Sequence, residues 1–309
     1  MIREEVGQAL SPANRAAGVG RRKRLPHSPL MAPSVFLLFL WMVVPLAMTL
    51  WFSVERYNLL SPGKRAFAGA ENYRYLLAGR ALWVAMGNTL FLVGLVLLIT
   101  LAAGTLIAVL LDREFPGRKI CRFLAIAPFF VMPTVSALIW KNMLMNPVFG
   151  MFSWITRSLG LGSVDFFATM PLTAIAVIVA WEWTPFAVLI LLPALQSLNR
   201  DQKEAARLDG AGAVALFFHI ELPHLRRPMA VVAMIETIFF LSLFAEIYVT
   251  TGGGPGLAST NLAYLIFRDA LLNWDVGGGS AGGVIAIVLA NVVALFLMRL
   301  VGRNLEDQR

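Results

Sequence analysis

The sequence is poor in charged residues, cysteine and histidine, and each shortage excludes a class of protein. Only 14% of its 309 residues are charged, against roughly 25% in a soluble domain, so water is the wrong solvent for most of the chain. The single cysteine, Cys121, excludes an internal disulfide and a cysteine-rich metal centre. The three histidines, His27, His219 and His224, lack the HExxH spacing or any other metal-binding spacing.

The sequence also lacks a phosphate-binding loop. Its one Gly-Lys pair, Gly63-Lys64, is followed by Arg65, and Asn58 stands where such a loop has its first glycine. Any ATP-driven step must therefore come from another chain. Glycines at 277, 279 and 282 have the spacing of a dinucleotide-binding fingerprint. No strand is predicted before them, so small residues that ease helix packing are the better explanation.

Long apolar runs are what the sequence has in abundance, since 58% of its residues are hydrophobic. A helix of about 20 apolar residues spans the roughly 30 Å hydrocarbon core of a bilayer. The sequence therefore predicts an all-α polytopic membrane protein with six transmembrane helices. The six runs cover residues 30–54, 81–111, 121–143, 171–195, 229–250 and 281–301. The first is too long for a signal peptide and has no small-residue cleavage site, so we expect it to be retained.

The basic residues predict the orientation in the membrane. Most of the 26 lysines and arginines lie on inner segments if both ends of the chain are cytoplasmic, as the positive-inside rule favours. The chain then divides into a cytoplasmic tail at 1–29, a membrane domain at 30–301 and a second cytoplasmic tail at 302–309. The basic surplus faces anionic lipid headgroups, and we expect no nucleic-acid partner.

A charged, alanine-rich segment separates the fourth and fifth runs, and we call residues 199–223 the 199–223 hairpin. Asn199 can cap a short helix, Asp201 adds negative charge to its first turn, and Gly210 favours a left-handed turn that ends it. We expect a second short helix from Ala211 to His219, which Leu222-Pro223 ends. Composition alone leaves a second interpretation open, namely an ordinary amphipathic loop in the membrane interface.

The spacing within this hairpin resembles the EAA signature of permease subunits in ATP-binding-cassette (ABC) importers. The matching positions are Glu204-Ala205-Ala206, Gly210 and Ile220-x-Leu222-Pro223. Further segments are similar to carbohydrate permeases of the maltose-transporter type, and in particular to the first of the two permeases that these importers pair. These segments are "PLAMTLWFSVERYN" from Pro45, "FAGAENY" from Phe67, "NPVFGMFSWI" from Asn146 and "FAEIYVTTGGGPGLAST" from Phe244. The glycine-rich run Asp275–Gly283 departs from the family pattern, which leaves the packing there open.

The resemblance implies a type I ABC importer permease fold, N-in and C-in, in a bacterial inner membrane. It implies a second homologous permease subunit, two ABC ATPase subunits and a periplasmic solute-binding protein as partners. ATP and Mg would be bound by the ATPase subunits and no cofactor by this chain, which would be a transport subunit and not an enzyme. The residues that would transmit the motion of the ATPase are Glu204, Ala205, Ala206, Asp209, Gly210, Leu222 and Pro223.

Three carboxylates lie within the apolar runs, where exposure to lipid costs about 2.5–3.5 kcal/mol or more each. Glu182, Glu236 and Glu246 can pair with polar groups on neighbouring helices. The other interpretation is that Glu182, with Trp181 and Trp183 beside it, lines a solute path. Aromatic faces and carboxylates together suit sugars. The candidates for such a path are Asn88, Trp140, Asn142, Trp181, Glu182, Trp183, Glu246 and Tyr248. An alternative function is a proton-coupled secondary transporter in which the three glutamates form the relay, and another is a membrane scaffold that only holds an ATPase.

Two outer segments carry weaker signals. Residues 251–261 are too rich in glycine for a regular element, so we expect a flexible gate, a docking surface or an unstructured connector. Phe152, Ile155 and Leu159 have helical spacing, which predicts a short helix on the outer interface.

Overall fold

The computed structural model describes residues 28–306, so most of the predicted N-terminal tail and the last three residues lie outside the described part. The described chain is almost entirely helical. In chain order its α-helices are α1 Ser28–Ser53, α2 Glu71–Ala78, α3 Arg80–Asp112, α4 Arg118–Ile126, α5 Pro133–Ile139, α6 Met151–Ser158, α7 Phe166–Thr169, α8 Pro171–Gln196, α9 Arg200–Leu208, α10 Ala213–Leu216, α11 Leu222–Leu241, α12 Ala245–Thr250, α13 Leu262–Phe267 and α14 Val276–Glu306.

Shorter elements join these helices. Strands β1 Glu55–Arg56 and β2 Ala66–Phe67 pair antiparallel, with Glu55 opposite Phe67. Segments Pro62–Lys64 and Ala127–Phe130 are 3₁₀ helices, and Trp140–Leu144, Phe217–Glu221 and Arg268–Leu272 are π-helical turns. The predicted short helix around Phe152 is confirmed as α6.

The chain forms two compact units, Met1–Leu46 and Ala47–Arg309. In the first unit, every side chain from Ala32 to Leu46 is exposed. An apolar helix without buried side chains is typical of one that faces lipid or another subunit.

The core of the second unit lies between α3, α8 and α11. One buried cluster joins Val96 of α3 to Val179 of α8 and Phe240 of α11, and a second joins Leu111 of α3 to Leu191 of α8. Helices α3 and α8 approach closely at Gly104, because a Cβ there would lie 2.5 Å from Cβ of Ala187. This three-helix core supports the buried side chains described below.

The expected six transmembrane helices are not confirmed. Among the described residues, four helices are long and apolar enough to cross a membrane: Ala32–Ser53, Arg80–Asp112, Pro171–Gln196 and Val276–Arg299. The segments Arg118–Phe130 and Pro133–Leu144 give a fifth if together they are one span, and a 102° bend separates them. The predicted span at 121–143 is therefore not one continuous helix. Its bend has a local cause, since Met132 precedes Pro133 and is extended (φ −64°, ψ 137°), as residues before proline tend to be.

The predicted fifth span at 229–250 is also not one continuous helix. Helix α11 begins earlier, at Leu222, ends at Leu241 and carries Arg226, Arg227 and Glu236. The break before α12 is held by the Asn261 side chain, whose Nδ2 donates a hydrogen bond to the carbonyl of Leu243. This hydrogen bond satisfies a buried carbonyl that lies outside both helices.

The glycine run at the start of α14 packs against its neighbours. A Cβ on Gly277 would lie 2.3 Å from the carbonyl oxygen of Glu55, and one on Gly279 would lie 2.5 Å from Cβ of Ala270. Asp275 Oδ1 accepts a hydrogen bond from the N–H of Gly278 at 3.0 Å. Small residues are needed here for close approach of backbones, which agrees with the packing explanation drawn from the sequence.

Candidate functional site

The first half of the 199–223 hairpin has the predicted local structure. Asn199 Oδ1 accepts a hydrogen bond from the N–H of Asp201 at 2.9 Å, so the predicted N-cap of α9 is confirmed. Gly210 has a left-handed φ of +88° directly after α9. No atom lies within 4 Å of where its Cβ would be. Backbone conformation and not crowding therefore requires glycine at this turn.

The second half of the hairpin corrects the sequence prediction. The expected helix from Ala211 to His219 is instead α10, which continues through the π-helical turn Phe217–Glu221 into α11. Leu222-Pro223 does not end a helix, because Pro223 lies in the first turn of α11. The fixed φ of proline suits a helix, and the π-helical turn directly before Pro223 changes the hydrogen-bond register at the point where proline offers no N–H.

The hairpin exposes large apolar side chains. Leu208, Val214 and Phe218 are 89%, 71% and 57% exposed. Among the predicted contact residues, Glu204, Ala205, Asp209 and Gly210 are exposed, and Ala206, Leu222 and Pro223 are half-buried. Exposed apolar side chains on a charged segment are typical of a surface that another protein covers.

The hairpin is also fixed to the helices beside it by residues that the sequence analysis did not identify. Lys203 of α9 forms ion pairs with Asp112 and Glu221. His224 Nε2 lies 2.9 Å from the carbonyl oxygen of Ala194 at the end of α8. The only sequence signal for these contacts is the charge of Lys203, which directly precedes the Glu204-Ala205-Ala206 motif.

The structure brings two of the three predicted glutamates together. Glu182 on α8 and Glu246 on α12 are 4% and 3% exposed, and their carboxyl groups are close enough to interact, with Ser136 of α5 beside Glu182. Although they are neighbours, neither Glu182 Oε1 nor Ser136 Oγ makes a hydrogen bond of normal geometry within the described residues. Buried polar atoms without partners are uncommon and call for an explanation such as a water or a ligand. Ser136 gave no sequence signal, because a lone serine is unremarkable in an apolar helix.

Glu236 lies apart from this pair. It is fully buried, and its Oε2 accepts a hydrogen bond from Thr100 Oγ1 at 2.6 Å. The contact joins α11 to α3, which fits the interhelical pairing that the sequence left open. No hydrogen bond between described residues links Glu236 to Glu182 or Glu246, so the three glutamates do not form a continuous hydrogen-bonded relay within residues 28–306.

The predicted aromatic residues differ in how open their rings are. Trp140 is buried and meets the partly exposed Trp181 edge to face, with ring centroids 5.8 Å apart. Trp183 packs into a separate aromatic group, with its ring centroid 4.7 Å from that of Phe239. Tyr248 is 52% exposed and stacks on Phe244. Trp181 and Tyr248 are therefore the predicted aromatic residues with the most open faces.

The two predicted asparagines have different environments. Asn142 is exposed. Asn88 Nδ2 donates hydrogen bonds to the carbonyls of Leu257 at 2.9 Å and Thr260 at 2.8 Å. Asn88 thus fastens α3 to the glycine-rich loop, and the donors of its amide are occupied by the protein itself.

The glycine-rich loop, residues 251–261, is not an unstructured connector. Ser259, Thr260 and Asn261 are at most 1% exposed. Thr260 Oγ1 donates a hydrogen bond to the carbonyl of Gly253 at 2.8 Å, and the N–H of Leu262 donates one to Thr89 Oγ1 at 2.9 Å. Its glycines allow tight turns and close packing, so a high glycine content did not indicate a flexible segment here.

The described part of the chain has no evident metal-binding site. Across residues 28–306, no group of three or more histidine, cysteine, aspartate or glutamate side chains is placed to hold a metal ion. His219 Nδ1 lies 2.9 Å from the carbonyl oxygen of Ala215, one turn earlier in its own helix.

Comparisons with known proteins agree on one family. Residues 97–307 match the family described as the binding-protein-dependent transport system inner membrane component. The chain is 32% identical over 284 residues to a probable ABC transporter permease protein of Sinorhizobium fredii, covering 90% of this chain and 92% of that protein. It is 32% identical over 280 residues to a trehalose/maltose transport system permease protein of Thermococcus litoralis, covering 90% and 94%.

A solved structure shares the fold. The match is to a chain from the crystal structure of a bacterial ABC transporter involved in the import of the acidic polysaccharide alginate. The TM-score is 0.75 at 22% identity, with 89% of this chain and 94% of that chain covered. The predicted ABC importer permease fold thus has a structural neighbour, although six spans are not confirmed.

Proposed function

Since the chain belongs to the family of binding-protein-dependent transport system inner membrane components, we propose that it is one of two permease subunits of an ATP-driven importer for a carbohydrate, a polyol or a related glycoside. The 199–223 hairpin carries this proposal, because it combines a capped helix, a left-handed glycine and exposed apolar side chains. The exposed apolar side chains are the distinguishing feature, because a segment that only connected two spans would gain nothing by exposing them.

The proposed partners follow from the family and from the missing phosphate-binding loop. Two ATPase subunits bind ATP and Mg and close on ATP, and each pushes one permease hairpin. A periplasmic binding protein delivers the solute to the outer face. The permease pair then alternates between outward-open and inward-open states in a bacterial inner membrane, with both ends of this chain in the cytoplasm.

The solute path runs past the carboxyl pair in this proposal. Glu182 and Glu246 accept hydrogen bonds from solute hydroxyl groups, and the open face of Trp181 covers the C–H surface of a sugar ring. The burial of Glu182 and Glu246, at 4% and 3% exposure, keeps both carboxyl groups away from lipid and supports this role. Trp140 orients Trp181, whereas Trp183, Asn142 and Tyr248 stand further along the path. The carbohydrate class is also supported by the trehalose/maltose permease among the relatives.

A pair of glycine variants tests the function of the hairpin. Gly210→Val forces a β-branched residue into a left-handed φ, which costs roughly 1–2 kcal/mol and shifts the turn. Gly212→Val is the matched control, since Gly212 has φ −71° and, like Gly210, an open Cβ position. ATP-dependent uptake of radiolabelled trehalose, maltose and glycerol 3-phosphate is measured in membrane vesicles. We expect Gly210→Val to lose uptake but insert normally, while Gly212→Val keeps it.

The same vesicles separate the proposal from proton-coupled transport. Uptake that requires ATP and survives a protonophore supports an ATP-driven importer. Uptake that a protonophore abolishes and that does not require ATP overturns it, as does Gly210→Val uptake equal to that of Gly212→Val.

A labelling experiment tests the orientation. Leu208→Cys, made in a Cys121→Ser background, places one thiol on the exposed surface of the hairpin. We expect a membrane-impermeant maleimide to label it in inside-out vesicles and not in intact cells treated to open the outer membrane. Labelling in the treated cells would place the hairpin on the outer side and contradict the proposal.

A further inference from the structure

We infer that Lys203 is a positioning residue that fastens α9 to the ends of α3 and α11, so that these three helices move as one body when the hairpin is pushed. The inference rests on the proposed function, because it concerns how the hairpin passes motion to the membrane helices. It concerns a residue outside the set of hairpin positions identified from the sequence.

The Lys203 cluster consists of Lys203, Asp112 and Glu221. Lys203 Nζ lies 2.8 Å from Asp112 Oδ2 and 3.1 Å from Glu221 Oε1. The three side chains are only 13%, 22% and 9% exposed. Lysine is seldom buried unless it is paired, so the burial of this ammonium depends on the two carboxylates. Screening by salt is also weaker for such a buried group than for a surface ion pair.

The cluster joins three elements at their ends. Asp112 is the last residue of α3, and Glu221 is the last residue of the π-helical turn that leads into α11. Lys203 lies within α9. A single side chain of the hairpin thus contacts the ends of two long core helices.

The end of α3 is itself held in place. Arg118 Nε donates a hydrogen bond to the carbonyl of Leu111 at 2.7 Å, and Arg118 Nη2 donates one to the carbonyl of Asp112 at 3.1 Å. Cationic groups are favourable at a helix C-terminus, where unpaired carbonyls carry partial negative charge. Lys203 therefore attaches α9 to a junction that α4 already fixes.

The two faces of α9 differ in exposure. Lys203 and Ala206 are spaced three residues apart, which places them on one helix face, and both are at least half-buried. Glu204, Ala205 and Leu208 are exposed. The exposed face suits contact with another protein, and the buried face carries the attachment to α3 and α11. Without that attachment, a push on the exposed face would tilt α9 alone.

Spin-label distances can detect whether α9 moves with α3. Labels are placed on Arg207→Cys of α9 and Leu110→Cys of α3, both exposed, in a Cys121→Ser background. The whole importer is purified through a tag on this chain and reconstituted in nanodiscs. The distance distribution is recorded without nucleotide and after trapping with ATP and vanadate.

In the otherwise unchanged protein we expect one narrow distance that is the same in both states. In Lys203→Met, the distance distribution should become broad, and its maximum should shift on trapping. Lys203→Arg should restore the narrow distribution, because arginine keeps the charge and can reach both carboxylates. Gln202→Met is the matched control on the exposed face and should behave like the unchanged protein. A residue needed only for stability would lower the yield of the complex without widening the distance.

Lys203→Met distributions equal to those of Gln202→Met in both states would overturn the inference. If Lys203→Met does not assemble, Glu221→Gln is measured in its place, since it weakens one of the two contacts, and an unchanged distribution there counts against the inference too. Failure of the proposed function has another signature, namely that no ATPase subunit purifies with the unchanged chain. The nucleotide-free distances still test the attachment in that case.

Discussion

Two irregular connections of the second unit, the 199–223 hairpin and the glycine-rich loop at 251–261, are built in opposite ways. Both depend on left-handed glycines, at Gly210 in the hairpin and at Gly253 in the loop. Around Gly210 the space is open, whereas a Cβ on Gly253 would lie 2.5 Å from Cε1 of Tyr264. The hairpin exposes its apolar side chains, and the loop buries Ser259 and Thr260.

This difference shows where the constraint on each segment comes from. The loop is specified by contacts within its own fold, since nearby carbonyls, hydroxyls and ring edges occupy the surrounding space. The hairpin keeps its shape with one cap, one glycine and one ion cluster, and leaves its outward face free. Substitutions in the loop should therefore change stability, while substitutions on the hairpin surface should change association and transport.

The largest expected effect is at Gly253. Gly253→Val adds a side chain in contact with Tyr264 and also forces valine to a φ of +79°. The backbone strain costs roughly 1–2 kcal/mol and overpacking typically a further 1–3 kcal/mol. We expect a clearly lower thermal unfolding temperature of the purified protein in detergent.

Gly256→Val separates the two causes. Gly256 also has a left-handed φ, of +61°, but nothing lies within 4 Å of its Cβ position. It should show the strain alone and lose less stability than Gly253→Val. Equal losses would mean that the packing around Tyr264 contributes nothing.

A smaller loss of stability is expected at Asn88. Asn88→Leu removes the hydrogen bonds to the carbonyls of Leu257 and Thr260, and stranded buried carbonyls cost about 1–3 kcal/mol. Hydrogen exchange should rise across 251–261. Asn142→Leu is the control, because Asn142 is exposed and should change stability by less than about 0.5 kcal/mol. If Asn88→Leu altered uptake with no change in exchange, a direct solute contact would be the better explanation.

On the hairpin, the expected effect is on association and not on folding. Leu208→Ser removes an 89% exposed apolar side chain, so the unfolding temperature should stay nearly constant. Recovery of ATPase subunits with the tagged chain should fall, because truncating an anchor side chain in an interface commonly costs more than about 1 kcal/mol of binding free energy. Leu60→Ser, at a 71% exposed position before the second strand, is the control. Equal recovery in both variants would place the interface elsewhere.

Local backbone signals were the most predictable part of the molecule. The Asn199 cap and the turn at Gly210 depend on neighbouring residues only, and both were predictable from residue type. The apolar runs of α3 and α8 were equally predictable, because they are longer than the apolar runs typical of core helices in soluble proteins. Glu182 and Glu246 could be identified as buried groups, but nothing in the sequence shows that two residues so far apart in the chain meet.

Features that depend on contacts between distant segments could not be predicted. Apolar composition continues across the bend before Pro133 and the break after Leu241, so hydropathy merges separate helices into single spans. The π-helical turn before Pro223 shifts hydrogen-bond register, which has no composition signal. Ser136 and Lys203 acquire their roles only when their partners are placed beside them.

The smallest expected effect concerns pH and the segment before α14. Asp269 lies in the turn before α14, and burial raises the pKa of its carboxyl group despite the adjacent Arg268 and the hydrogen bond from Asn273. Because the folded pKa lies above the unfolded value of about 3.9, the folded state binds this proton more tightly. Its contribution to stability is complete below that pH and is lost as pH rises through the folded pKa.

Asp269→Asn should remove that pH dependence. Thermal unfolding measured from pH 7 downwards should show the unchanged protein gaining stability relative to the variant as Asp269 takes up its proton. Asp201→Asn, in the hairpin, controls for the loss of any one carboxylate. If the stability difference between the unchanged protein and Asp269→Asn stays constant with pH, burial of this carboxyl group has no effect on its protonation. The segment before α14 would then be no more constrained at this position than the hairpin is.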